Sequence, residues 1–147
     1  MYRISEVERA IIERLRRQIP YLRVCTSLAR FLVDDMEEAV LNFPAVCVAY
    51  QGGEYEHRLN GIQDRRMTFT VFVAARNERG DEASRHGHGE EAGVYGMLDD
   101  VRAALTSHSC GLDMDPLLPG IEQAVDGDSR LSVYGITFET RCRFMIP

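Results

Sequence analysis

MTFTVFVAA, residues 67–75, carries the clearest secondary-structure signal in the chain. Apolar side chains fill every second position from Met67 to Ala75, and the positions between them hold two threonines, a phenylalanine and an alanine. Such alternation, with β-branched and aromatic residues, predicts a β-strand. Because one of its two faces is wholly apolar, we expect that face to lie against the core.

Strand patterns also occur on both sides of this segment. The run 45–50 is apolar on both faces, which is typical of a central strand, and Gln51–Gly53 is expected to end it. From Tyr134 to Ile146, apolar residues alternate with charged ones, so this strand should cover the core with one face and present charge with the other. Weaker patterns predict further strands at 21–28 and 121–125.

Two long amphipathic helices are predicted. Residues 5–19 carry apolar residues at spacings of four, and the helix should begin with a capping box formed by Ser5 and Glu8. Residues 91–107 carry a similar stripe. Since each helix has only one apolar stripe, both are expected on the same face of the sheet.

The sequence therefore predicts one α/β (α+β) domain over residues 1–147. Its mixed, largely antiparallel sheet should have four or five strands, with the two long helices packed on one face. A short helix capped by Asp34 and Asp35 is expected before the central strand. Long polar loops are predicted at 52–66, with a turn at Asn60 and Gly61, and at 76–90, where the loop should be exposed and mobile.

Composition excludes several classes of function. All 17 basic residues are arginine, so a P-loop and a Schiff-base lysine are impossible. The net charge of −6 argues against a general phosphate-binding surface. The first residues lack a secretory signal and no apolar run approaches a membrane span, so we expect the chain to stay where it is made and away from membranes. Four widely spaced cysteines favour buried thiols in a reducing compartment.

Potential metal ligands cluster at His86, His88, Glu90 and Glu91. Imidazoles two residues apart can bind a borderline metal, but structural zinc takes four ligands, and a polar Gly/His loop is more simply solvated. His108 and Cys110 are a second possible pair of metal ligands. The simpler interpretation is a histidine at a helix C-terminus beside a partly buried cysteine. Since no nucleophile elbow or phosphate loop is present, we assign no catalytic residue, no metal and no cofactor.

Several blocks, read together, resemble a known family. They are FPAVCVAYQGG (43–53), FTVFVAARNERG (69–80), VYGMLDDVRAAL (94–105) and LSVYGITFETR (131–141). In order and spacing, together with an N-terminal ERAIIERL helix, they resemble the tail protein family of Mu-like bacteriophages and prophages, taken to be the tail terminator. The resemblance implies a structural virion protein whose small α/β subunits form a ring, usually of six, that caps the finished tail tube.

The resemblance also implies partners and a location. The ring would stop tube polymerisation and contact tail tube, sheath and head/neck connector proteins, first in the host bacterial cytoplasm and then in the virion tail. DNA would pass through without tight binding, and no enzymatic activity is expected. The alternatives are another tail-completion or head–tail connector protein, a small nucleic-acid-binding protein, or a small metal-binding module or enzyme that uses His86 and His88.

A ring requires two different contact patches on each subunit. For one half, we expect the charged face of the last strand, because arginine–carboxylate pairs can be bidentate; its residues are Glu139, Arg141 and Arg143. The acidic clusters available for the other half are Glu54 with Glu56 and Asp81 with Glu82. The alternative is that these charges are only solvated.

Overall fold

The computed structural model describes residues 2–27 and 43–145. Three α-helices and five strands occupy these ranges, in the order α1 (Ile4–Gln18), β1 (Val24–Ser27), β2 (Ala45–His57), β3 (Ile62–Arg76), α2 (Asp81–His86), α3 (Val94–Leu105), β4 (Leu118–Gly127) and β5 (Leu131–Met145). A short 3₁₀ helix, Leu59–Gly61, joins β2 to β3. The short helix predicted at Asp34 and Asp35 lies outside the described residues.

The strands form one mixed sheet in the order β1-β2-β3-β5-β4. β1 runs parallel to β2, and every other neighbouring pair is antiparallel. Ala45 lies opposite Ala74, and Val71 lies opposite Ile136, so β3 is central and pairs along most of its length on both sides. The predicted α+β class and the largely antiparallel five-stranded sheet are therefore confirmed.

One hydrophobic core lies between the sheet and the two long helices. Val7, Ile11 and Leu15 of α1 are fully buried, and so are Phe69 of β3 and Phe138 of β5. The inward stripe of α3 joins the same cluster through Val94, Met97, Leu98, Val101 and Leu105. Both helices therefore pack on one face of the sheet, as their single apolar stripes predict.

β2 does not end at its glycines, as the sequence had suggested. The strand bulges between Tyr50 and Gly52 and then continues to His57, paired with β3 throughout. Gly53 permits this because a Cβ there would lie 2.6 Å from the Arg66 carbonyl oxygen. The predicted polar loop at 52–66 is therefore wrong: these residues form a β-hairpin. Its turn lies at Asn60 and Gly61, as predicted, and both have positive φ.

The segment 76–90 is also more ordered than a loop. It contains α2, and the turn after α2 folds back so closely that a Cβ on Gly93 would lie 2.2 Å from the Gly87 nitrogen. The Glu91 carboxylate fixes this turn by accepting hydrogen bonds from Asn77 Nδ2 (2.6 Å) and Arg79 (2.9 Å). Because Glu91 is held in the turn, α3 begins at Val94 rather than at Glu91.

The ends of α1 and β4 also differ from the prediction. α1 begins at Ile4, and the Arg3 backbone N–H donates a 2.6 Å hydrogen bond to Glu6 Oε2, so Ser5 and Glu8 do not form the predicted capping box. Glu6 takes the role because it lies at the third helical position, where a carboxylate reaches back to the cap. β4 spans ten residues rather than the five predicted.

Candidate assembly surface

The face of the sheet opposite the helices, here called the outer face, carries the residues that sequence reasoning singled out. Positions 64, 66, 68, 70 and 72 of β3 point to it, because the alternate positions are buried under the helices. Side chains of β2, β4 and β5 that lie opposite these positions share the face. It divides into a charged half and a more apolar half.

The charged half lies on an extension of the sheet. Residues 51–66, here called the arm, form the hairpin beyond the bulge in β2, and the last third of β5 pairs along its β3 side. Most of the arm's side chains are exposed. The arm therefore depends on cross-strand pairs rather than on a core of its own.

Asp64 and Arg65 are buried exceptions, and the side chain of Asp64 is only 1% exposed. It accepts a hydrogen bond from Arg143 Nε at 3.0 Å and another from Arg58 Nε at 2.8 Å. The Arg143 hydrogen bond, followed by that of Arg58, holds the pKa of Asp64 below its usual range, and the same contact raises the pKa of Arg143. Asp64 thereby ties the turn of the arm to the last strand.

Three further ion pairs complete the charged half. Arg66 lies between two acids, with its Nε 3.2 Å from Glu139 Oε1 and its NH1 3.6 Å from Glu54 Oε2. Arg141 Nε donates to Asp115 Oδ2 at 3.0 Å. Each predicted residue on β5 therefore has an acid or arginine partner within its own chain.

The structure brings most of the predicted interaction residues together. Glu54 and Glu56 line a small surface hollow with Arg66 and Arg141. Asp81 and Glu82 lie elsewhere, in the first turn of α2, where Asp81 is 3.6 Å from Arg85.

Sequence reasoning missed Asp64 and Asp115 as partners, since 79 and 26 residues separate them from their arginines and no local pattern marks such pairs. A role of these charges in assembly stays a prediction.

Large exposed apolar side chains form two further patches that the sequence analysis did not identify. One is on the arm, where Leu59 is 86% exposed near the turn and Tyr55 is 56% exposed. The other is on β4, at Leu118, Ile121 and Val125. β4 is an edge strand whose ten residues are all exposed. In the sequence, these are single apolar residues in a polar context. Ordinary surface positions have the same pattern, so the sequence alone does not mark the patches.

A groove crosses the apolar half of the outer face beside β4. It has a volume of about 370 Å³, with Phe72, Ile121 and Val125 among the residues that line it. Gly135 forms its floor, where an added Cβ would lie 3.3 Å from Val125 Cγ2. The groove thus depends on a residue without a side chain at this point of β5.

The predicted metal ligands do not converge. The His86 ring packs edge-on against Tyr95, with centroids 5.0 Å apart, while the backbone of His88 pairs with that of Glu91. Within residues 2–27 and 43–145, no group of three or more His, Cys, Asp or Glu side chains is placed to hold a metal ion.

The four cysteines are free thiols, as expected. Three of them are buried and Cys110 is half-buried. Burial raises the pKa of Cys25 to about 11 and that of Cys47 to about 12, so neither thiol is primed to act as a nucleophile.

Comparison with known proteins identifies the family. No helix in the described part of the chain is long and apolar enough to cross a membrane. No curated protein sequence matches the chain. A family model described as "Bacteriophage Mu, Gp37" matches residues 3–143, which covers the helices, the sheet and the arm. The chain therefore belongs to the bacteriophage Mu Gp37 family and is a Mu-like phage protein.

Proposed function

We propose that this protein is a structural component of the virion that terminates the phage tail, acting as a ring on the end of the tail tube. The observation that carries the proposal is the family match over residues 3–143. The ring would stop polymerisation of the tube and join it to the head or neck. Its partners would be other copies of itself, usually six to a ring, the tube and sheath proteins, and the connector proteins. The role is structural rather than catalytic.

The architecture supports an assembly role. Sheet proteins usually shield their edges and faces, whereas here an edge strand and much of the outer face are exposed in the described chain. A ring subunit needs such surfaces, because each copy must contact two neighbours through different patches. The net charge of −6 also suits a conduit that DNA traverses without being held.

Charged contacts between neighbours are part of the proposal. Glu139, Arg141 and Arg143 would form one half of the contact, using guanidinium N–H groups beyond those that bind Asp115 and Asp64. Exposed contacts of this kind are individually weak, so dilute protein should be monomeric or weakly associated.

The acidic half of this contact would come from either of two clusters. The clusters are Glu54 with Glu56, on the arm beside the strand that carries the arginines, and Asp81 with Glu82, on α2. Asp81 and Glu82 fit a contact between neighbours better, because α2 packs near Ser132, about ten residues along β5 from Arg141. Arg141 and Arg143 of the same subunit are therefore far from these acids.

Tail assembly in the absence of the protein tests the function. Phage preparations made without it should contain tail tubes of irregular, excessive length that carry no heads. Adding purified protein should restore a defined tube end, visible by electron microscopy. Tails of normal length that join heads without the protein would refute the proposal. A connector protein gives a third pattern, in which tubes of normal length fail to join heads.

A further inference from the structure

We infer that the tip of the arm of one copy seats in the outer-face groove of a second copy. This inference rests on the proposed function, because it names the contact by which the ring would close. It concerns two apolar patches that lie apart on the same subunit: the tip, residues 57–61, and the groove beside β4. The charged residues discussed above would flank this contact rather than form its centre.

The tip presents one apolar side chain on a turn of defined backbone conformation. Leu59 is 86% exposed, although the turn around it is defined by the positive φ values of Asn60 and Gly61. Arg58 beside it is held by Asp64. A side chain presented by a backbone that is already ordered loses little further conformational entropy on binding, which favours its use as an anchor.

The groove has the size and the chemistry to receive this tip. A leucine side chain occupies on the order of 100 Å³, so a groove of about 370 Å³ accepts it with room for a neighbouring group. Phe72, Ile121 and Val125 provide apolar walls.

The charges of the two patches are also complementary. The tip sequence HRLNG contains one arginine and no acid, whereas β4 contains no basic residue and its Asp126, paired with Val133, lies on the outer face next to Val125. A tip that enters the groove would therefore bring Arg58 towards an acid rather than towards another cation, which favours this pairing over tip against tip.

A subunit cannot fill its own groove, so the tip-in-groove contact that we infer joins two copies. Thr70, which lines the groove, lies eight residues along β3 from Ile62 at the base of the tip. At about 3.4 Å per residue, this separation is about 27 Å along a paired strand. Each copy thus offers one tip and one groove at different places, which is the arrangement that builds a closed ring or an open helix.

Cross-linking tests the contact directly. In a Cys110→Ser background, which removes the half-buried thiol, the variant with Leu59→Cys and Val125→Cys is oxidised at about 1 mM protein. We expect a ladder of covalent oligomers on a denaturing gel. The matched control combines Leu59→Cys with Leu118→Cys, since Leu118 has similar exposure on the same strand but lies outside the groove.

The 59/125 pair should give at least fivefold more oligomer than the 59/118 pair. Equal yields from the two pairs, or no ladder beyond the dimers formed by each single-cysteine chain, would overturn the inference.

Mixing two charged variants provides a second, independent test. Leu59→Asp removes the tip and Val125→Asp blocks the groove, and neither should shift the thermal transition because both side chains are exposed. Alone, each should fail to form rings, with self-association weakened at least tenfold. Mixed together, they retain one intact tip and one intact groove and should form dimers and nothing larger.

The inference and the proposed function can fail separately. If both aspartate variants form rings and cap tubes as the wild-type protein does, the tip-in-groove contact is wrong while the tail role stands. If the cysteine pair gives its ladder but phage tails reach normal length without the protein, the contact is real and the proposed function is wrong.

Discussion

Replacing Gly93 with alanine should destabilise the fold strongly, because the space for a side chain is filled by backbone. A Cβ at this position would lie 2.2 Å from the Gly87 nitrogen and 2.4 Å from the Arg85 carbonyl oxygen. Real Cβ atoms keep at least 3.0 Å from such atoms, so the backbone must retreat by up to about 0.8 Å. A side-chain rotation cannot relieve the clash, and we expect a cost of about 3 kcal/mol, at the upper end for overpacking.

The matched control is Gly96→Ala, three residues further along the chain. Gly96 lies inside α3 and a Cβ there meets no atom within 4 Å, so this change should stabilise the helix by about 0.5–1 kcal/mol. For 147 residues the unfolding entropy near the midpoint is about 0.3 kcal/mol/K. Gly93→Ala should therefore lower Tm by about 10 °C, while Gly96→Ala raises it by about 2–3 °C.

Thermal unfolding followed by circular dichroism measures both changes. A Gly93→Ala protein that melts within about 2 °C of the wild type would show that the turn between α2 and α3 has room for a side chain, and the close packing described here would be wrong. A fall in Tm for Gly96→Ala as large as that for Gly93→Ala would contradict the position of α3 itself. The pair matters for assembly, because the same turn holds α2, which carries Asp81 and Glu82.

Three other changes test separate parts of the structure. Phe138→Ala should lower the free energy of unfolding by about 3–5 kcal/mol, measured in urea, because the ring is fully buried; a loss below about 1 kcal/mol would place Phe138 outside the core. The lowered pKa of Asp64 stabilises the fold above the carboxyl's ordinary pKa of 3.8, and this contribution is lost as pH falls through the lower pKa of the folded state. The difference in Tm between the wild type and Asp64→Asn should therefore shrink as pH falls from 5 to about 2, and a constant difference would contradict the ion pairs. Of the four thiols, Cys110 should react first with a disulfide reagent in the native protein, while Cys25 and Cys47 should react only on unfolding; early labelling of Cys47 would contradict its burial.

The elements that bury apolar side chains were predictable from sequence. The alternation at 67–75 and the stripes of α1 and α3 report directly on which side chains leave water, and these set the core and the shared helix face. The position of β2 inside the sheet, with a neighbour on each side, was also predictable, because its first four residues are apolar on both faces and all are buried.

The arm was not predictable, because it buries almost nothing. Most of its residues are polar, and its glycines can be interpreted in two ways. Gly52 and Gly53 resemble the end of a strand, yet they allow the strand to bulge and continue. What fixes the arm is pairing with β5, about 80 residues later in the chain. The partners of Arg141 and Arg143 were hidden for the same reason, since Asp115 and Asp64 become neighbours only once the sheet has formed.

The way the arm is joined to the last strand has a mechanical consequence. Backbone hydrogen bonds between antiparallel strands lie across the strand direction, so a pull on the tip along β3 loads many of them at once, in shear. The same bonds would open one after another if the tip were peeled sideways from the sheet, and the two ionic links through Asp64 stand where such peeling would begin. The arm is thus stiff along its length. A force applied to Leu59 along the strands would be transmitted into the centre of the sheet rather than absorbed by bending of the hairpin.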